Sequence, residues 1–170
     1  GALTKKLAIA NDKVEIICYE IDYELEDVLT VFLKEYSNIT VFFGDFLKQD
    51  IKKNLQSFKY KNLYFVSNVP YYITTPIIFK LIKSDLQFTK IVMMVQKEVA
   101  ERFCANPGRK EYGALTVLLQ YYFNVKKEFL VDKNQFVPKP NVDSMVVSFT
   151  PKEKKEIVYN EIFFEKFVHD

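Results

Sequence analysis

Short apolar runs rich in β-branched residues alternate along the chain with longer segments whose apolar residues recur at helical spacing. The short runs predict strands at Val14–Tyr19, Ile39–Phe43, Leu63–Ser67 and Ile91–Val95. The longer segments predict helices at Ala2–Ala10, Tyr23–Tyr36, Thr75–Lys83, Lys97–Cys104 and Tyr112–Phe123. Strands that are apolar throughout and separated by helices are typical of a parallel sheet covered on both faces. The pattern therefore predicts an α/β fold with a largely parallel sheet and helices on both faces.

The residues around these elements add two expectations. Thr74 or Thr75 is a natural N-cap for the third helix, and Pro76 suits its first turn. Towards the C-terminus the pattern changes, and Phe129–Val131 and Met145–Phe149 are predicted to form a closing pair of strands joined by a proline-bearing loop.

Length and composition indicate one globular domain, because 170 residues of which 49% are hydrophobic can bury a sizeable core. We assign residues 1–151 to this domain. Residues 152–170 are predicted to form a charged linker and the start of a truncated helical C-terminal domain. The chain begins without methionine and stops inside a helix-like segment, so we expect it to be a piece of a longer protein.

The charge and the cysteine content argue against a metal site and a disulfide framework, but they do not indicate a particular function. A net charge of +2 is too small to indicate nucleic acid by itself. Cys18, Cys104 and the single His169 have no metal-ligand spacing, so neither a metal site nor a disulfide framework is expected. No run reaches the length of a membrane span and no signal sequence is evident. We expect a monomer in a reducing, cytoplasmic compartment.

Three polar residues follow successive predicted strands, where ligands bind in open α/β sheets. Glu20 suits the role of a carboxylate that accepts hydrogen bonds from ribose hydroxyls, which lies ~20 residues after a glycine-rich loop. Gly1 stands at that distance and is compatible with the last glycine of such a loop, although it is equally compatible with a cleavage remnant. Asp45 is a candidate acceptor for an adenine amino group or, alternatively, the cap of a turn. With Asn68, these residues are predicted to converge on one crevice.

The strongest signal is Asn68-Val69-Pro70-Tyr71, directly after a predicted strand. The amino nitrogen of adenine is a poor nucleophile because its lone pair is delocalised into the ring. The Asn68 oxygen and a backbone carbonyl near Pro70 can accept its two hydrogens, so that the lone pair becomes available to a methyl group on a sulfonium. Tyr71 offers a stacking face worth ~1–3 kcal/mol per base, and the adjacent Tyr72 is a further candidate for substrate contact. The alternative interpretation is a β-turn with a core tyrosine.

An adenine that reaches such a crevice has left its stack, so an aromatic side chain is expected on its second face. Phe136 is the candidate, in a loop stiffened by Pro138 and Pro140, although it also suits a plug that fills the core. Basic residues available for phosphates follow, although charged residues at helix ends are often only solvated; they are Lys97, Arg102, Arg109, Lys110 and Lys139.

Several segments together resemble the ribosomal RNA adenine N6-dimethyltransferases, and among them the KsgA type that acts on the small subunit. The run Asn68–Ile77 is similar to the target-site motif of that family. The other segments that are similar to the family, in order and spacing, are Gly1–Thr4, Tyr19–Asp22, Gly44–Leu47, Val95–Arg102, Tyr112–Val117 and Phe136–Ser144. The resemblance covers nearly the whole chain.

The resemblance implies a Rossmann-like class I methyltransferase fold and S-adenosylmethionine as the cofactor. It also implies dimethylation of two adjacent adenines in a hairpin of small-subunit rRNA, with the RNA or a 30S assembly intermediate as partner. Glu20, Asp45 and Asn68 would contact the cofactor, and Asn68, Pro70, Tyr71 and Phe136 would hold the adenine. The family's first glycine motif begins before Gly1, so this chain by itself is expected to bind cofactor weakly and to be weakly active or inactive.

Two other functions remain open at this stage. The first is a DNA adenine methyltransferase, which has a related site. Two features disfavour it: Val69 stands where many DNA enzymes carry proline, and the chain has the Phe136 loop. A non-catalytic RNA-binding factor for ribosome assembly would keep the fold without the chemistry.

Overall fold

In the computed structural model, which describes residues 1–153, the chain forms two compact units, Gly1–Lys59 and a second that begins at Tyr60. The two units are described separately below. The predicted second domain falls almost entirely on residues 154–170, which lie outside the described residues.

The first unit contains two parallel strands with helices before, between and after them. Its elements are α1 (Ala2–Ala10), β1 (Ile16–Glu20), α2 (Glu26–Leu33), β2 (Ile39–Phe43) and α3 (Ile51–Leu55). The strands pair in register from Ile16 opposite Ile39 to Glu20 opposite Phe43, so their carboxyl ends lie side by side. Short 3₁₀ turns at Tyr23–Leu25 and Phe46–Lys48 follow these two ends.

The second unit contains a four-stranded sheet in the order β3-β4-β6-β5. Its elements are β3 (Tyr64–Ser67), α4 (Thr74–Lys83), β4 (Lys90–Gln96), α5 (Lys97–Phe103), α6 (Ala114–Tyr122), β5 (Phe123–Val131) and β6 (Ser144–Pro151). Strands β3 and β4 are parallel, whereas β6 is antiparallel to both β4 and β5. The α/β class is confirmed, and the predicted closing pair of strands is the antiparallel pair β5-β6.

The core of the second unit is built around β4. Alternate residues of this strand, Ile91, Met93 and Val95, are almost completely buried. The ring of Phe149 on β6 packs within 6.0 Å of the rings of Phe103 and Phe123, measured between centroids. Buried apolar residues on α4 and α6 complete the core: Ile77, Ile78, Leu81, Leu118 and Leu119. Apolar side chains of helices and sheet thus meet in a closed interior.

The start of α4 differs from the prediction. Its N-cap is Ile73, with no side-chain cap, and neither Thr74 nor Thr75 takes that role. The physical reason is the 3₁₀ turn Tyr71–Ile73, because the Tyr71 carbonyl already accepts the Thr74 N–H. Thr74 is instead buried, with 2% of its surface exposed, and its hydroxyl has no hydrogen-bond partner among the described residues.

Other elements also differ from the prediction. The predicted helix Tyr23–Tyr36 begins with a 3₁₀ turn and ends at Leu33. Phe123 is the first residue of a nine-residue strand, and not the end of a helix, because its ring packs against Phe149 in the core. Helix α3, which was not predicted, has only five residues and is stabilised by the Asp50 carboxylate, which accepts the Lys53 N–H at 3.0 Å.

Candidate functional site

Glu20 and Asp45 lie at the carboxyl ends of the two parallel strands of the first unit. Glu20 is the last residue of β1, and Asp45 follows β2 by one glycine. The Gly44 N–H donates to the Glu20 carbonyl at 2.7 Å, which joins the two strand ends beyond their regular pairing. The structure therefore brings these two predicted cofactor-binding positions to the same edge of one sheet.

Each of these carboxylates holds a turn with one of its oxygens. Glu20 Oε1 accepts the Asp22 N–H at 3.0 Å, and Asp45 Oδ1 accepts the Leu47 N–H at 2.9 Å. Asp45 Oδ2 lies 4.0 Å from the ammonium of the exposed Lys48. The capping role considered for Asp45 is confirmed. Since a carboxylate has about four acceptor positions, both side chains keep capacity for a ligand, and their role in cofactor binding stays a prediction.

Gly44 is required by the geometry of this strand edge. Its φ is +121°, and a Cβ at this position would lie 2.9 Å from Gln49 Nε2. That amide donates to the Phe43 carbonyl at 3.0 Å, so a side chain on Gly44 would disturb a hydrogen bond that closes the turn. Gly1, the other glycine of interest, is exposed at the N-cap of α1, where a Cβ would lie 3.1 Å from the Phe32 ring.

Asn68 lies in the second unit, immediately after β3, and its side chain is exposed. Its amide forms no hydrogen bond with any residue in the range 1–153, so both the oxygen and the nitrogen are available to a ligand. The Pro70 carbonyl accepts the Ile73 N–H at 3.2 Å, and a carbonyl oxygen has a second lone pair to offer. The segment therefore presents an amide and a turn carbonyl next to each other.

Tyr71 is fixed by a hydrogen bond to a distant part of the sequence. Its hydroxyl and the Ser144 hydroxyl are 2.7 Å apart, and Ser144 is 0% exposed at the start of β6. Tyr71 is half-buried, whereas Tyr72 is 82% exposed. Sequence reasoning missed the role of Ser144, whose only signal was its place at the end of the family-like segment Phe136–Ser144.

Phe136 belongs to the same unit as Tyr71 and is half-buried, at the end of the 3₁₀ turn Lys133–Gln135. It is therefore not a fully buried core residue. The loop is held by Asp143, whose carboxylate accepts the Lys133 N–H at 3.1 Å and whose carbonyl accepts the Lys97 N–H at 3.0 Å. These two bonds connect the Phe136 loop to the start of α5, beside the end of β4.

The basic residues predicted for phosphate contact are spread over the second unit. Lys97 is exposed at the start of α5, next to the Asp143 carbonyl that its N–H contacts. Arg102 lies more than one turn further along α5 and so on a different face of the helix. Lys139 is exposed in the loop. The Lys97 N–H contacts the end of the loop that carries Phe136 and Lys139, and phosphate contact by Lys97, Arg102 and Lys139 stays a prediction.

Residues 1–153 contain neither a metal-binding cluster nor a membrane-spanning helix. No group of three or more His, Cys, Asp or Glu side chains in residues 1–153 is arranged to hold a metal ion. No helix in the same range is both long and apolar enough to cross a membrane.

Sequence comparison gives a match over the whole chain. The family model described as ribosomal RNA adenine dimethylase matches residues 1–170. A Streptococcus pneumoniae protein named ribosomal RNA small subunit methyltransferase A is 42% identical over 169 residues, covering 98% of this chain and 58% of the relative. The protein of that name from Streptococcus gordonii is 42% identical over 177 residues, covering 99% and 60%. The chain thus spans somewhat over half the length of these relatives.

Solved structures support the same fold. The 23S rRNA methyltransferase ErmE superposes with a TM-score of 0.75 at 26% identity, covering 99% of this chain and 65% of its own. A dimethyladenosine transferase from Plasmodium falciparum gives 0.62 at 29% identity, covering 89% and 62%. A Streptococcus pneumoniae protein described as a tRNA methyltransferase, solved with S-adenosyl-L-methionine, gives 0.55 at 8% identity and covers 96% and 67%. The predicted Rossmann-like class I methyltransferase fold is confirmed.

Proposed function

Because the chain belongs to the ribosomal RNA adenine dimethylase family, we propose that its full-length protein methylates N6 of two adjacent adenines in a small-subunit rRNA hairpin. The methyl groups come from S-adenosylmethionine, and the reaction is a step in ribosome biogenesis. The names of the Streptococcus relatives support the small subunit as target. We place the catalytic part in residues 1–151.

The observation that carries this proposal is the geometry of Asn68-Val69-Pro70-Tyr71 after β3. Asn68 is exposed and has no hydrogen-bond partner among the described residues, while Tyr71 is fixed by Ser144. An amide that folding does not use, beside an aromatic ring that folding holds in place, suits the recognition of a flat base with an amino group.

For the cofactor, the chemistry of Glu20 and Asp45 fits a nucleoside. Both are half-exposed carboxylates at the ends of parallel strands, and each has acceptor positions beyond the one its turn uses. Glu20 would accept from the ribose hydroxyls and Asp45 from the adenine amino group of S-adenosylmethionine, with Gly1 close to its methionine part. When bound, this cofactor supplies an electrophilic methyl group on a positively charged sulfur.

Toward the target adenine, this chain's residues supply position and fixed dipoles. The Asn68 oxygen accepts one hydrogen of the N6 amino group, and the carbonyl of Pro70 or its neighbour accepts the other. With both hydrogens bound, the nitrogen can become pyramidal and its lone pair leaves the ring. Tyr71 stacks on the base and Phe136 covers the other face. No strong general base is required, because the proton leaves after the nitrogen has become positive.

We further propose that Tyr72, Lys97, Arg102 and Lys139 contact the RNA around the target. Their exposure supports this role, since none is committed to the core. The partner is small-subunit rRNA or a 30S assembly intermediate, and the protein works as a monomer in the cytoplasm.

The test is Asn68→Ala in the full-length protein, with methyl transfer measured on small-subunit rRNA. We expect a loss of at least about 100-fold, as expected when a preorganised hydrogen-bond acceptor at the reacting atom is removed, with an unchanged circular dichroism spectrum. Asn124→Ala, which removes another exposed asparagine from the same unit, is the matched control and should leave the rate unchanged. Full activity of Asn68→Ala, or methylation of duplex DNA in preference to RNA, would contradict the proposal.

A further inference from the structure

A cavity of about 460 Å³ lies in the second unit, where the end of β4, the start of α5 and the loop before β6 meet. Apart from Val142 its lining is polar and consists of Gln96, Lys97, Glu98, Glu101, Lys133, Asn141 and Asp143. Its volume falls within the range of about 300–1,000 Å³ that is typical of sites for small ligands.

The cavity adjoins the residues that fix Tyr71. Asp143 directly precedes Ser144, and Gln96 is the residue paired with Ser144 across the β4-β6 ladder. Consecutive Cα atoms are about 3.8 Å apart, and paired residues of antiparallel strands are about 4.5–5.5 Å apart. The wall of the cavity therefore begins one residue from the hydroxyl that holds the Tyr71 ring.

The lining indicates what kind of ligand fits. Three carboxylates, Glu98, Glu101 and Asp143, outnumber the two lysines, so a free phosphate or another small anion is disfavoured. Carboxylates accept from hydroxyl and amino groups, and the Gln96 and Asn141 amides both donate and accept. A ligand with hydroxyls, a polar ring edge and at most a peripheral negative charge matches this set, and a nucleotide within an RNA strand has all three.

We propose that this cavity binds the nucleotide directly next to the target adenine in the RNA strand. The inference rests on the proposed function, since it assumes an adenine held at Tyr71. Gln96 and Asn141 contact the base edge, Glu101 accepts from the ribose 2′-hydroxyl, and Lys97 reaches the connecting phosphate. The protein thereby reads a second nucleotide in addition to the target.

The loop that closes the cavity is held in place before any RNA binds. Asp143 Oδ1 accepts the Lys133 N–H at 3.1 Å, and the Lys133 ammonium donates to the Asn141 carbonyl at 3.4 Å. The Asp143 carbonyl accepts the Lys97 N–H at 3.0 Å. These bonds place the Asn141 backbone opposite the end of β4 at little further entropic cost on binding.

The experiment is a double cycle of protein and RNA changes in the full-length protein. The substrate is a hairpin RNA with one target adenine, made also with an abasic nucleotide on its 5′ or its 3′ side. Gln96→Ala and Asn141→Ala are each compared with Gln87→Ala, an exposed glutamine of the same unit that is absent from the cavity lining. The quantity measured is kcat/KM for methyl transfer to the target.

We expect Gln96→Ala and Asn141→Ala to lower kcat/KM about 5- to 20-fold on the intact hairpin, with Gln87→Ala unchanged. With the unaltered protein, an abasic nucleotide on one side of the target should lower kcat/KM by a similar factor. With the two cavity variants, the same abasic nucleotide should lower kcat/KM almost no further, because the contact it removes is already lost. The proposal would be overturned if the losses of kcat/KM from the protein change and from the RNA change multiplied. It would also be overturned if an abasic nucleotide on neither side lowered kcat/KM. If the unaltered protein does not methylate the isolated hairpin, the same comparison is made with the hairpin inside a 30S assembly intermediate. If it methylates neither substrate, the proposed function itself is wrong, which is a separate result.

Discussion

The two compact units bury their apolar side chains to very different extents. In the first, Ala8, Leu33, Ile51 and Leu55 are the buried apolar side chains, whereas many others are exposed, with Val31 as much as 76%. In the second, whole strand faces and helix faces are buried, and rings pack on rings. Burial of apolar surface is the main source of folding free energy. This source therefore stabilises the second unit far more, per residue, than it stabilises the first.

The residues proposed for ligand binding are positioned in correspondingly different ways. Glu20 and Asp45 in the first unit are held by hydrogen bonds to backbone groups two residues away. Tyr71 in the second unit is held by Ser144, which is distant in sequence and completely buried. The first unit therefore depends on turn chemistry for its site geometry, and the second depends on its core.

The largest effect is expected from a matched pair of phenylalanines. Phe149→Ala in the second unit removes a ring that is 1% exposed and should lower the free energy of unfolding by about 3–5 kcal/mol. Phe32→Ala in the first unit removes a ring that is 42% exposed and should cost less than about 1 kcal/mol. Urea unfolding measures both, and equal losses would remove the contrast between the units.

A pair of glycines tests whether turn geometry holds the first unit. Gly44→Ala imposes a φ of +121° on alanine and brings its Cβ within 2.9 Å of Gln49, so we expect a loss of about 1–3 kcal/mol. Gly108→Ala also has a positive φ, +84°, but meets nothing within 4 Å and should cost about 1 kcal/mol. A Gly44→Ala that unfolds no more easily than Gly108→Ala would contradict the role given to this strand edge.

Removing the tyrosine hydroxyl tests how far the core positions the second unit's site. Tyr71→Phe leaves the buried Ser144 hydroxyl without a partner and should lower the free energy of unfolding by about 1–2 kcal/mol. The double variant Tyr71→Phe, Ser144→Ala should lose less free energy of unfolding than the sum of the losses in the two single variants. Strict additivity in the thermal unfolding of the four proteins would show that this hydrogen bond contributes nothing.

The smallest effect concerns the two thiols, one in each unit. Burial raises the pKa of Cys18 and of Cys104 above the ordinary 9.0, so the folded protein holds these protons more tightly than the unfolded chain. The stability this confers is complete below the ordinary pKa and is lost as the pH rises through the folded pKa. The double variant Cys18→Ala, Cys104→Ala should therefore lose slightly less stability above pH 9 than the unaltered protein. Urea unfolding at several pH values measures this difference. An unchanged pH dependence would contradict it.

Most of the fold followed from the sequence because its elements are bounded by polar residues. Helix Ala2–Ala10 and strand Ile39–Phe43 were predicted to the residue. Helix α3 was missed because five residues are too few to show a period. Phe123 was assigned to the wrong element because the packing partner that keeps it in a strand, Phe149, is remote in sequence.

The site was predictable only as far as local sequence determines it. Asp45 as a turn cap and Asn68 as an exposed residue after a strand follow from neighbouring residues. The contact of Tyr71 with Ser144 and the cavity between Gln96 and Asn141 arise from strand pairing, which no local pattern specifies.

The position of β6 has a consequence for the time course of synthesis. It is the last strand of the described residues, yet it lies inside the sheet, between β4 and β5. A nascent chain that ends before Ser144 leaves β5 without its partner strand and the Tyr71 hydroxyl without its hydrogen-bond partner. Such long-range pairing is slow and comes late. The hydrogen bond that fixes Tyr71 in the proposed adenine site is therefore formed only after Ser144 has been synthesised and β6 has joined the sheet.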